Sequence, residues 1–152
     1  SMLHVENSSG GRARIRRFTS SGSLLYDRTL QSETARVTGA AMDSLYREFS
    51  RFFKGKGPGV EAAAERAAKE HVVVPRYWPS FQEAVVGADG TAWLQTAQAD
   101  EWLVINPAGH PVARVIVPLG VRIAAIHNGG AWGIQTDSFD VPQVVKYVLE
   151  QE

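Results

Sequence analysis

The sequence predicts an all-β chain built on a four-stranded antiparallel unit that recurs about every 40 residues, interrupted once by a pair of helices. Three observations predict it. "GADGTAWLQT" from Gly87 returns as "HNGGAWGIQT" from His127, an offset of 40 residues. "FTSSGSLLYDRTL" from Phe18 lines up with "INPAGHPVARVIV" from Ile105, an offset of 87. Between these phrases, a stretch at about residues 38–71 leaves strand alternation for helical spacing.

Taken in order, "LHVEN" reads as one strand, and Arg12 to Leu30 as two more joined by a turn at Gly22. An extended "RARIRR" sets Arg12, Arg14 and Arg16 on one face, read as a solvated outer face or a salt-bridging oligomer edge. The inserted stretch then places Met42, Leu45, Tyr46, Phe49, Phe52 and Phe53 on one helical face. "GKGPG" stops that helix. "VEAAAERAAKEH", rich in strong helix formers, predicts a second one before Pro75 and Pro79 impose extended backbone. Four strands follow, at Phe81–Val86, Thr91–Ala97, Glu101–Asn106 and Pro111–Val117, and Val121 to Leu149 holds three more. Glycine in the turn of each repeated hairpin supplies the positive φ that a tight turn requires.

The larger offset exceeds the smaller by 47 residues, the excess length of the connection between Leu30 and Phe81. Both phrases therefore obey one period. Four short antiparallel strands in about 40 residues are the mark of a β-propeller blade. The expected fold is about two and a half consecutive blades with a helical-hairpin insertion, all within one domain over residues 1–152.

Composition narrows the function classes. The chain is net neutral, with 16 basic and 16 acidic residues, so no global field favours nucleic acid or an anionic membrane. Residues 1–30 hold Arg12, Arg14, Arg16, Arg17 and Arg28 against Glu6 and Asp27, a local excess of basic charge. There is no cysteine, which removes disulfides and thiolate chemistry. No apolar run reaches the roughly 20 residues of a spanning helix, and no signal-peptide pattern stands at the N-terminus. A soluble chain is expected.

The blade phrases resemble those of bacterial six-bladed β-propellers, the group that includes NHL-repeat and SMP-30-like proteins. Asp89 and Gly90 match their first turn, Trp93 the second strand, Asn106, Pro107 and Gly109 the second turn, and Pro118 the end of the closing strand. The chain is too short for six such blades. The resemblance, to the C-terminal part of a propeller, therefore implies open sheet edges at both ends, and a homo-oligomer that completes a ring.

The resemblance also implies which loops share a face. It gathers Arg76, Tyr77, Trp78, Gln98, Asp100, Asp137, Ser138 and Asp140 at one end, a set suited to a polar ligand or a protein partner. No catalytic constellation is read from the sequence. "GxSxG" is absent, and His4, His71, His110 and His127 stand in unrelated contexts. SMP-30-like enzymes hold a divalent metal on Glu, Asn and Asp side chains, for which Glu83 and Asp137 are the nearest matches. The expected function is thus a non-catalytic binding or scaffold module without a cofactor. The alternative is a metal-dependent hydrolase or lyase working at a central channel.

Overall fold

The structure, a computed structural model, describes residues 1–8, 10–32, 34–57, 59–98, 100–127 and 130–148. It divides into a β unit, Ser1–Thr34 with Pro79–Glu152, and a helical unit, Ala35–Trp78.

The β unit holds three antiparallel sheets. The first contains β1 (Met2–Ser8), β2 (Arg12–Phe18) and β3 (Leu24–Gln31). The second contains β4 (Phe81–Val86), β5 (Ala92–Thr96), β6 (Glu101–Ile105) and β7 (Pro111–Ile116), and the third β8 (Arg122–His127), β9 (Gly130–Thr136) and β10 (Pro142–Val148). Spatial order follows chain order in each, because tight turns leave consecutive strands no alternative but to pair.

Four of those turns share one backbone pattern. In Thr19–Ser23, Gly87–Thr91, Asn106–His110 and Asp137–Val141, the first N–H donates to the fifth carbonyl and the fourth N–H to the first carbonyl. The fourth residue must then take a positive φ, and it is Gly22, Gly90, Gly109 and Asp140 in turn. Gly109 is doubly constrained, since a Cβ there would lie 2.8 Å from the Tyr26 ring. Asp140 is the one non-glycine residue at such an angle among the described residues, at φ 59°. Aspartate tolerates this region better than most side chains.

The two central strands of the second sheet, β5 and β6, are buried on both faces. Ala92, Leu94, Leu103 and Ile105 join Ala13, Ile15, Tyr26 and Leu30 of the first sheet in one core. Trp93, Trp102 and Val104 join Val121, Ile123, Ile126 and Ala131 in another. Register explains the division: Ala92 faces Ile105 and Leu94 faces Leu103, while Trp93 faces Val104, so each cross-strand pair falls on one side. "AWL" and "WLVI" are therefore apolar without alternation, as strands covered on both sides must be.

The sheets meet along their first strands, β4 touching both β1 and β8. β4 and β8 bring their C-terminal ends together, where Ala88 N–H donates to Ile126 O at 3.2 Å. β1 runs the other way. Its C-terminal Asn7 exchanges two hydrogen bonds with the backbone of Phe81, at the start of β4 (3.1 and 3.0 Å). By direction β1 corresponds to β5, which makes β2 and β3 the counterparts of β6 and β7. That agrees with the 87-residue offset.

In the helical unit, α1 (Gly39–Arg51) begins at Thr38, whose Oγ1 accepts from Ala41 N–H at 3.2 Å. α2 (Val60–His71) packs against it, with Ser50 and Ala68 buried. Bonds from Val37 N–H to Arg76 O and from Trp78 N–H to Ala35 O clamp the two ends of the unit together. The predicted apolar stripe is only partly realised. Phe52 N–H and Phe53 N–H reach back three residues to Phe49 O and Ser50 O, closing the helix before Phe52 and Phe53. Met42, Leu45 and Tyr46 are half-buried, whereas Phe49, Phe52 and Phe53 are exposed.

Candidate functional site

The sequence-predicted loop set is divided between the two units. Arg76, Tyr77 and Trp78 belong to the helical unit, on the extended segment that closes its clamp. Gln98 and Asp100 stand in the β5–β6 connection, and Asp137, Ser138 and Asp140 in the β9–β10 turn. Several of these groups already serve the fold. Gln98 N–H donates to Thr96 Oγ1, and Asp100 O accepts from Val117 N–H at 2.7 Å. Asp137 Oδ1 accepts from Phe139 N–H at 2.8 Å and Val141 N–H at 3.0 Å, and Oδ2 accepts from Gln143 Nε2 at 2.9 Å. The backbone N–H groups of Val141 and Phe139 hold this carboxyl below the usual carboxylate range. Beside it, Ser138 and Asp140 are exposed.

Glu83 lies on β4, beside a cavity of about 160 Å³ that Val5, Asn7 and Phe81 also line. Asp137 is not part of that lining. Among the described residues, no group of three or more His, Asp or Glu side chains is placed to hold a metal ion.

The arginine face carries counter-charges for two of its three arginines, with the Arg16 Nε–H left unpartnered. On the outer face of the first sheet, Arg14 grips Asp27 with two hydrogen bonds (2.8 and 2.5 Å), and Arg16 holds Glu6 at 2.9 Å. Arg14 stands opposite Glu6 and Thr29, and Arg16 opposite His4 and Asp27, so the pairs run diagonally across the three strands. A comparable pair lies at the edge of the second sheet, where Arg114 donates to Glu101 at 2.7 Å. That bond, with a second from Thr96, holds the Glu101 carboxyl below the usual range.

The outer face of the third sheet was missed by the sequence reading. Ala131, Gly133, Val145 and Tyr147 point toward the core, so their neighbours Trp132, Ile134, Val144 and Val148 point away from it. Val144 is 70 % exposed, Val148 68 % and Trp132 39 %. Among the described residues neither cation of this face forms an ion pair: Lys146 Nζ sits 5.5 Å from the Trp132 ring centre, and Arg122 pairs across with Ile134. A signal existed in the sequence. "GAWGI" and "VVKYV" carry apolar residues at both parities, as the doubly covered second sheet does.

No helix among the described residues is long and apolar enough to cross a membrane. No protein-family model, curated protein or solved structure matches this chain.

Proposed function

We propose that the chain is a binding and scaffold module, its sheets consecutive blades of a β-propeller, and that it works by associating with a further copy of itself. The observation that carries this reading is the outer face of the third sheet. Trp132, Ile134, Val144 and Val148 form an apolar surface of the kind that, on the second sheet, is covered by a neighbouring sheet. The stacking of the three sheets along their first strands, with β4 and β8 running alike, supports the blade reading.

The faces also favour one mode of assembly. Head-to-tail ring closure would lay the apolar face on the outer face of another copy's first sheet, burying the Arg14–Asp27 and Arg16–Glu6 pairs. Desolvating ion pairs against an apolar surface is unfavourable. Pairing the third sheets of two copies about a two-fold axis covers Trp132, Ile134, Val144 and Val148 with apolar surface and requires Lys146 and Arg122 to keep their charged ends in solvent. The turns at Gln98 and Asp100 and at Ser138 and Asp140 are left for a small polar ligand or a protein partner.

Light scattering coupled to size-exclusion chromatography, over a concentration series, tests this. The expected mass is twice the 16.6 kDa of one chain. A larger closed oligomer would replace two-fold pairing with ring closure, and a monomer throughout would sink the self-association reading.

A further inference from the structure

Arg17 stands apart from the other arginines of β2. Odd-numbered residues of that strand face inward, so its guanidinium is carried into the β unit, where it is 7 % exposed. One terminal nitrogen donates to Gly90 O in the β4–β5 turn, and the other to Ser1 Oγ at 3.2 Å. The Nε–H has no partner, and among the described residues no carboxylate pairs with Arg17. Its cross-strand neighbour is Tyr26, whose hydroxyl is also buried and unpartnered. Burial pushes the Tyr26 pKa up, so this phenol stays neutral and supplies no counter-charge.

A buried guanidinium without a counter-ion is costly, and the usual resolution is an anion in hydrogen-bonding reach. Space for one is present. Arg17 lines a cavity of about 490 Å³ together with Val86, Gly87, Ala124, Ala125 and Ile126. That volume lies within the range of ordinary small-molecule sites, roughly 300–1,000 Å³. Beside Arg17 the lining is aliphatic or glycine except for Ser1, whose Oγ accepts from Arg17, and it holds no carboxylate to repel an anion. An uncompensated positive charge calls for a negative one, and each terminal nitrogen keeps a second N–H, beyond its bond to Gly90 O or Ser1 Oγ, for the oxygens of a carboxylate.

We propose that this cavity binds a small organic monocarboxylate, the carboxylate on Arg17 and an aliphatic body against Val86, Ala124, Ala125 and Ile126. The site is formed within one β unit, so it stands or falls independently of self-association.

Butyrate is a suitable probe, titrated into the full chain while the Nε–H resonances of the arginines are followed by nitrogen-edited NMR. The expected result is a saturable shift of the Arg17 Nε–H, with that of Arg14, already held by Asp27, unmoved. 1-Butanol, which keeps the body and lacks the charge, should produce no such shift, and Arg17→Gln should weaken butyrate binding about ten-fold or more. Should that variant fail to fold, the wild-type titration still decides. No saturable movement at Arg17 overturns the proposal, as does saturation by inorganic phosphate or 1-butanol in place of butyrate.

Discussion

The outer faces of the first and third sheets both lie on the side turned away from the second sheet, yet their chemistry is opposite. On the first, alternation is strict: Ala13, Ile15 and Arg17 go inward, while Arg12, Arg14 and Arg16 go outward, two of them paired with Asp27 and Glu6. On the third, both parities of β9 and β10 are apolar, and Val144 and Val148 stand in solvent. The first face supplies counter-charges for Arg14 and Arg16, although the Arg16 Nε–H is left without a partner. The third exposes hydrophobic surface to solvent, which is unfavourable. The difference teaches that the two end faces of one stack of sheets can carry opposite chemistry, one charged and the other apolar.

The comparison can be broken most forcefully with two tryptophans. Trp102, fully buried between the second and third sheets, is expected to cost about 3–5 kcal/mol of stability when changed to Ala, read by urea unfolding. Trp132→Ala, on the outer face and read at a concentration where the chain is single, should stay within about 1 kcal/mol, since within one copy it loses mainly the Lys146 contact. Equal losses would mean that the outer face is part of the fold's own core.

A smaller effect isolates assembly. Val144→Asp places a charge in the centre of the proposed contact and should weaken association by at least ten-fold, about 1.4 kcal/mol. Light scattering would then find a single chain where the wild type is paired, with the circular dichroism of the sheets unchanged. An undiminished dimer would move the contact elsewhere.

The smallest effect belongs to the charged face. Its hydrogen bonds with Arg14 hold the Asp27 carboxyl below the usual carboxylate range. A depressed carboxyl contributes stability above its unfolded pKa of about 3.9, and that contribution disappears as pH falls through the folded value. Wild type should therefore exceed Asp27→Asn by a small constant margin from neutral pH down to about 5, and the margin should close below about 4. Unfolding midpoints over a pH series check this. A margin that survives at low pH would mean that Asp27 acts through packing.

Much of the β unit was legible because its signals are local. Glycine at Gly22, Gly90 and Gly109 marks turns by backbone conformation alone, and the strands between them keep the predicted limits to within a residue or two. Asp140 was less legible: it fills the same turn position without glycine, and its neighbour Asp137 spends its carboxylate on that turn. α1 closes at Arg51, short of its apolar stripe, because the last apolar spacing competes with the turn that follows. Arg17 entered the sequence reading only through the basic excess of residues 1–30, since strand parity sets it opposite Arg12, Arg14 and Arg16 without saying what covers that face.

The sequence by itself determined the repeat, its period, the turns and the inserted helices, all of which follow from φ preferences and from spacings of a few residues. Only the tertiary structure decided which apolar faces are covered, which arginine is turned inward and which strands run alike. Those outcomes depend on contacts between residues far apart in the chain, such as Asn7 with Phe81, and burial is a property of what lies opposite, which no local pattern records.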